Sequence, residues 1–152
     1  IPGIQALVRD REPAVRAESV KALGRMKHRG SVGVIAGVMN SDPEYRVRRD
    51  AAAALGKIGG DAACQALLNA WAGQPGSVRQ QIAQALSAFE SEAAVRQLIA
   101  AIRDPDRDVR IFAIRSLGEI GDPAAVPSLK ALSRDSDPHI RREAAGALEN
   151  IQ

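Results

Sequence analysis

The chain has 152 residues, 45% of them hydrophobic, 26% charged and only 3% aromatic, and its net charge is +3. A single cysteine, Cys64, excludes an internal disulfide framework and suits a reducing, cytoplasmic compartment, and no apolar run is long enough to span a bilayer. Residues 1–31 hold seven basic residues against three acidic ones and the remainder sums to −1, an excess too small to argue for a nucleic-acid partner.

The first predicted helix carries Ile4 and Leu7. Asp10-Arg11-Glu12-Pro13 follows, then a second helix from Val15 to Leu23-Gly24 and a basic exit, Arg25-Met26-Lys27-His28-Arg29-Gly30. Next come a helix with Ala36 and Met39, the turn Asp42-Pro43-Glu44, a helix from Val47 to Leu55, and the exit Gly56-Lys57-Ile58-Gly59-Gly60. The third pair has Leu67 and Ala70, with the lone Trp71 at its end, and then Val78 to Leu86. Its turn is Gly73-Gln74-Pro75-Gly76 and its exit Ser87-Ala88-Phe89-Glu90, neither following the pattern, so it is expected to be the loosest turn of the five. The fourth pair has Leu98 and Ala101, the turn Asp104-Pro105-Asp106, and the stripe Val109, Ala113, Ile114, Leu117, Ile120. The fifth has Leu129 and Leu132, Asp135-Ser136-Asp137-Pro138, and Ile140 to Leu148. Steps of three and four residues put each apolar set on one helical face. Acidic side chains before proline can accept bonds from the unpaired amides of a helix start.

These pairs repeat one sentence. Val15, Val47, Val78, Val109 and Ile140 are spaced 32, 31, 31 and 31 residues apart, each is followed by arginine, and each has leucine eight positions on. A fixed period of this size predicts an all-α solenoid in which each unit touches only its neighbours. The expected units are 1–31, 32–62, 63–93, 94–124 and 125–152, in one repeat domain read as a cut-out of a longer protein. The end helix, having lost its neighbour, should leave Ile4, Leu7 and Val8 partly exposed.

Residues 117–149 spell Leu117-Gly118-Glu119-Ile120-Gly121-Asp122, Ala125-Val126, Leu129, Asp135, Ile140-Arg141, Ala144 and Leu148. This resembles the HEAT-like repeat first named from phycobilisome lyases, over essentially the whole chain. The resemblance implies five antiparallel helix pairs in a right-handed superhelix, with second helices lining the concave side. For function it implies a protein-binding scaffold, with a bilin lyase or lyase-like chromophore carrier as the alternative. A related repeat hydroxylase holds two irons with His-Glu pairs, but here His28 precedes Arg29 and His139 precedes Ile140.

No Ser–His–Asp set, phosphate loop or metal-ligand cluster stands out, so neither catalysis nor a cofactor is expected. Cys64 replaces Val95 and Val126 of other units and reads as a buried thiol. The arginine column Arg16, Arg48, Arg79, Arg110, Arg141 and the aspartates Asp10, Asp42, Asp104, Asp135 read as a structural ladder. Arg79 faces Gly73 in its own unit and is expected to be the member most open to another partner. A protein partner is expected on the concave face at Ile111 and Phe112, which break a polar series, with Gln80, Gln81, Gln84, Arg115 and Arg142 as the rim.

Overall fold

The computed structural model describes residues 2–151. Ten α-helices follow one another, and among the described residues there is no strand. They are α1 (Pro2–Leu7), α2 (Pro13–Arg25), α3 (Val32–Ser41), α4 (Tyr45–Ile58), α5 (Gly60–Ala70), α6 (Gly76–Leu86), α7 (Glu92–Ala101), α8 (Arg107–Ile120), α9 (Val126–Ala131) and α10 (Pro138–Ile151). The even-numbered helices each begin two residues before the repeated valine or isoleucine, and the ten form five helix pairs of an all-α solenoid.

The core is a continuous seam of the periodic residues. Leu23, Leu55, Leu86 and Leu117 are fully buried, as are Met39, Leu67, Leu98 and Leu129 of the first helices. Each such side chain contributes about 1.5–3 kcal/mol by leaving water. In α3 the buried first-helix residue is Ile35, and Ala36 is only half-buried. Val8 departs from expectation at 2% exposure, because it turns toward Val34 and Val38 of α3 while Leu7 faces the open end at 44%.

Small residues set how closely the units stack. A Cβ on Gly24 would lie 2.9 Å from the Ala54 Cα, one on Gly56 3.2 Å from the Ala85 Cα, and one on Gly118 2.9 Å from the Ala147 Cα. Glycine nine positions after the origin therefore meets alanine seven positions after the next origin. The third unit has Ser87 in the glycine position, and Ser116 stands where the alanine would be. Its hydroxyl is buried and donates to the Ala83 carbonyl at 2.8 Å. Successive second helices make far more extensive contact than successive first helices, so α2, α4, α6, α8 and α10 form the more closely packed layer, the one that the repeat resemblance puts on the inner side.

Turns are built from aspartate, though differently from the simple capping expected. Asp10, Asp42, Asp104 and Asp135 each accept the amide two residues on, at 2.8–2.9 Å. The side-chain caps of these helices are Ser91 on α7, Asp106 on α8 and Asp137 on α10, while Glu12 and Glu44 leave their helices uncapped by side chains. Gly121, at φ 74°, ends α8 in the left-handed region that glycine accepts without strain.

The third turn is not loose. Gln74 is buried at 6% exposure, donates to the Met39 carbonyl at 3.0 Å, and accepts from Arg48 at 3.2 Å through its side-chain oxygen. It fills the aspartate's place one residue later. Phe89, also buried, closes the exit that lacks glycine.

Candidate functional site: the inner face

Two ladders of polar contacts join the units. The first uses the arginine column, and it runs to the following unit. Arg16 donates to both carboxylate oxygens of Asp42 at 2.7 and 3.0 Å, and Arg79 to both of Asp104 at 3.0 and 2.9 Å. Arg79 is therefore not open to another partner, because the acid it meets lies in the next turn. Those charge-assisted bonds push the Arg16 and Arg79 guanidiniums toward still firmer protonation, against the cost of burial. The same arginines, with Arg110 and Arg141, also donate to backbone carbonyls at the start of their own turns.

The column is incomplete at both chemistry and register. Arg48 finds Gln74 and lies 4.7 Å over the ring of the exposed Tyr45, while its buried Nε has no partner. Arg110 binds the Asp104 and Pro105 carbonyls rather than Asp135. In that last step Arg107 takes over and pairs with Asp137 at 2.6 Å, holding its carboxyl down at about 2.

The second ladder lies on the inner face and links position six of one unit to position three of the next. Lys21 approaches Asp50 at 3.9 Å, and Arg115 grips both oxygens of Glu143 at 3.0 and 2.6 Å. Arg115 thereby holds the Glu143 carboxyl below its usual range, against desolvation, and His139 adds a contact at 3.2 Å. His139, at the start of α10, is thus part of this cluster. Asp50 behaves oppositely. One of its oxygens is buried without a hydrogen bond, and desolvation raises its pKa although Lys21 pulls it down.

Between these two ion pairs the corresponding positions are Ala53 with Gln81 and Gln84 with Phe112, all uncharged. Gln80 and Gln81 are half-buried and Gln84 is exposed, on α6. Phe112 is half-buried against the core, and the Arg115 guanidinium sits 5.5 Å above its ring. Along positions three and six the inner face therefore carries ion pairs toward its ends and uncharged, amide-rich side chains at its centre. Ile111 does not belong to it. At 5% exposure it is core, because its branched chain closes into the seam between helices where Arg49 and Arg142 stay exposed. Arg142 is exposed on α10 and has no side-chain bond among the described residues.

The other singled-out residues sit apart. Burial pushes the Cys64 thiol up, with Ser91 opposing, which leaves it protonated and unreactive at neutral pH. His28 in the basic exit meets the Ser31 hydroxyl at 2.7 Å, and Ser31 also accepts from Gln5 at 2.9 Å, so this loop is tied to α1. Trp71 is half-buried against the core. Among the described residues no three metal-ligating side chains gather, and no helix is long and apolar enough to cross a membrane.

The profile of HEAT repeats matches residues 2–87 and 95–152. No curated protein matches the chain in sequence. Among solved structures it resembles the CpcE–CpcF complex of phycocyanin lyase from Nostoc sp. PCC7120, with a TM-score of 0.80 and 21% identity over 98% of this chain and 64% of that one. Human deoxyhypusine hydroxylase is similar at a TM-score of 0.70 and 21% identity, over 99% of this chain and 73% of that one. A designed armadillo repeat protein in complex with the peptide (KR)4 gives 0.64 and 18%, over 98% and 80%. The chain thus spans just under two thirds of the lyase chain it resembles. At these identities the likeness is one of fold.

Proposed function

Because this chain belongs to the HEAT repeat family, we propose that it is a non-catalytic scaffold that binds a protein partner on its inner face, centred on Phe112, Gln81 and Gln84. One observation carries the reading. Along positions three and six, Lys21–Asp50 and Arg115–Glu143 face each other across units, and between them lies an uncharged stretch with a half-buried aromatic under a guanidinium. An aromatic anchor beside side-chain amides, ringed by ion pairs, has the composition of an interaction hot spot. The amides can donate to and accept from a partner's backbone, and the neutral centre imposes no charge on it. Solved relatives in fold include a two-protein complex and a peptide complex, which agrees with this use.

The test is a photo-crosslinking amino acid placed at Gln84, with a control at Arg96, an exposed residue of α7 away from the inner face. A discrete adduct from position 84 alone, competed by unlabelled protein, supports the reading. Equal labelling from both positions removes it.

A second reading is favoured by the likeness to the phycocyanin lyase complex alone: a lyase-like subunit that handles a bilin. It predicts visible absorbance changes when the protein is mixed with bilin and a cognate second subunit. A spectrum equal to the sum of its parts removes it.

A further inference from the structure

The two long edges of the stack treat charge differently. On the edge where first helices turn into second helices, residues 9–12, 42–46, 103–108 and 134–137 each carry both signs. Asp42, Asp104 and Asp137 are tied there to arginines. On the opposite edge, where second helices exit toward the next unit, the signs are sorted. The first exit shows Arg25, Lys27 and Arg29, all exposed, and the second shows Lys57. The third shows Glu90 and Glu92, and the fourth Glu119 and Asp122. Asp61 stands between the two halves. Among the described residues none of the four bases forms an ion pair, nor do Glu90, Glu119 and Asp122.

The exits are neighbours in space. A Cβ on Gly60 would lie 3.9 Å from the Arg29 guanidinium carbon, which joins the first exit to the second. Gly60 and Glu90 line one open hollow of about 570 Å³, which joins the second to the third. The turn at Pro123–Ala125 packs against α7, which joins the third to the fourth. One strip therefore runs from basic to acidic along the side of the stack. Further units would stack on the ends of a solenoid and leave this edge bare.

Lys27 shows that a charge on the strip is kept against a conformational cost. Twelve positions after the origin, the second and fourth exits have Gly59 and Gly121, at φ 72° and 74°. The first exit has Lys27 in that register at φ 50°, the one positive-φ residue other than glycine among the described residues. Glycine adopts this conformation freely and lysine does not. The third exit puts Glu90, the opposite charge, in the same register.

We propose that the exit edge is a self-complementary surface on which a second copy of this chain docks antiparallel, across a two-fold axis. The first exit of each copy then faces the fourth exit of the other, and the second faces the third. Arg25 and Lys27 meet Glu119 and Asp122, and Lys57 meets Glu90 at the rim of the hollow. Met26, 48% exposed in the basic exit, is set against the exposed Pro123 and Ala124. A two-fold contact uses one patch twice, so it requires a patch whose halves complement each other. A parallel pairing would put Arg25 on Arg25 and Glu119 on Glu119. A separate acidic ligand would use only the basic half and leave the sorted acids without a role. Exposed ion pairs set register more than affinity, so the dimer is weak and salt-sensitive. The strip lies at the C-terminal ends of the second helices, apart from the groove at Phe112 and Gln84, so this proposal and the partner site fail or stand separately.

Sedimentation equilibrium over a concentration series tests it. The parent is expected to form a dimer whose dissociation constant rises at least about tenfold between about 0.1 M and about 1 M salt, as the screening length falls from about 10 Å to about 3 Å. Arg25→Glu with Lys27→Glu gives a chain acidic at both ends, and Glu90→Arg with Glu119→Arg gives one basic at both ends. Each alone should be monomeric. An equimolar mixture should restore a one-to-one dimer, which also shows that both variants fold. Lys27→Gly separates fold from docking: melting in high salt should hold or rise, while the dimer weakens in low salt. A parent that stays monomeric in low salt overturns the proposal, and binding of that monomer to poly-glutamate would assign the basic half to an acidic partner instead. A dimer indifferent to salt, reversed variants that dimerise alone, or a mixture that stays monomeric overturns it as well.

Discussion

At the residue scale the arginine column divides by partner. Arg16 and Arg79 each give two bonds to a buried carboxylate one unit away, whereas Arg110 and Arg141 bond only to backbone carbonyls of their own turns. Arg79→Ala strands Asp104, which is 9% exposed, and should cost about 2–3 kcal/mol in chemical denaturation, the range for hydrogen bonds to charged groups. Arg110→Ala strands no carboxylate and should cost about 0.5–1.5 kcal/mol. Equal losses for both would mean that the cross-unit pairing adds nothing. Asp50 is a charge set against its surroundings. Burial raises its folded pKa, so the folded protein binds that proton more readily than the unfolded chain, and stability gains as pH falls through the raised value. Asp50→Asn should therefore melt higher than the parent at pH 7, and the gap should close below the ordinary carboxylate range. Asp137 has the opposite sign. Arg107 depresses its carboxyl to about 2, so its contribution is present above the ordinary carboxylate range and is lost as pH falls through about 2. Asp137→Asn should be destabilised at pH 7 and match the parent at pH 1.5.

At the element scale, unit stacking depends on Gly24, Gly56 and Gly118, where a methyl group would meet backbone or Cβ atoms of the next helix. Gly118→Ala gains helix propensity yet should lose about 1–3 kcal/mol to overpacking, read as a lower midpoint in denaturant. A stabilised Gly118→Ala would show that the helices separate freely. On α8 adjacent residues have different tasks. Ile111→Ser should destabilise by about 2–4 kcal/mol because it opens a cavity and buries a hydroxyl, whereas Phe112→Ser should destabilise less and lose the partner. Much of this was legible beforehand. The valine, arginine and leucine columns give the helix pairs, and repeated Asp-Pro turns give their joints. What one-dimensional reading missed is lateral. In sequence Arg79 faces its own turn, where Gly73 stands, although its acid is Asp104, 25 residues on. Gln74 could not be seen as an aspartate substitute, because it is shifted one residue and only packing brings it under Arg48. Ile111 and Phe112 share a break in polarity, and only the helix's rotation sends one inward and leaves the other at the groove.

At the scale of the molecule, the inner-face pairs Lys21–Asp50 and Arg115–Glu143 had a sequence signal, complementary charges 28 or 29 residues apart, but its meaning required knowing which faces meet. Together they bracket a stretch whose positions three and six are uncharged, and that stretch is the proposed partner site. The most direct measurement is the position-84 crosslink repeated in a Phe112→Ser background, with melting followed in parallel. The account predicts that the adduct disappears while the mutant stays folded, with a melting temperature within a few degrees of the parent's. An adduct of undiminished yield in the folded mutant would contradict it.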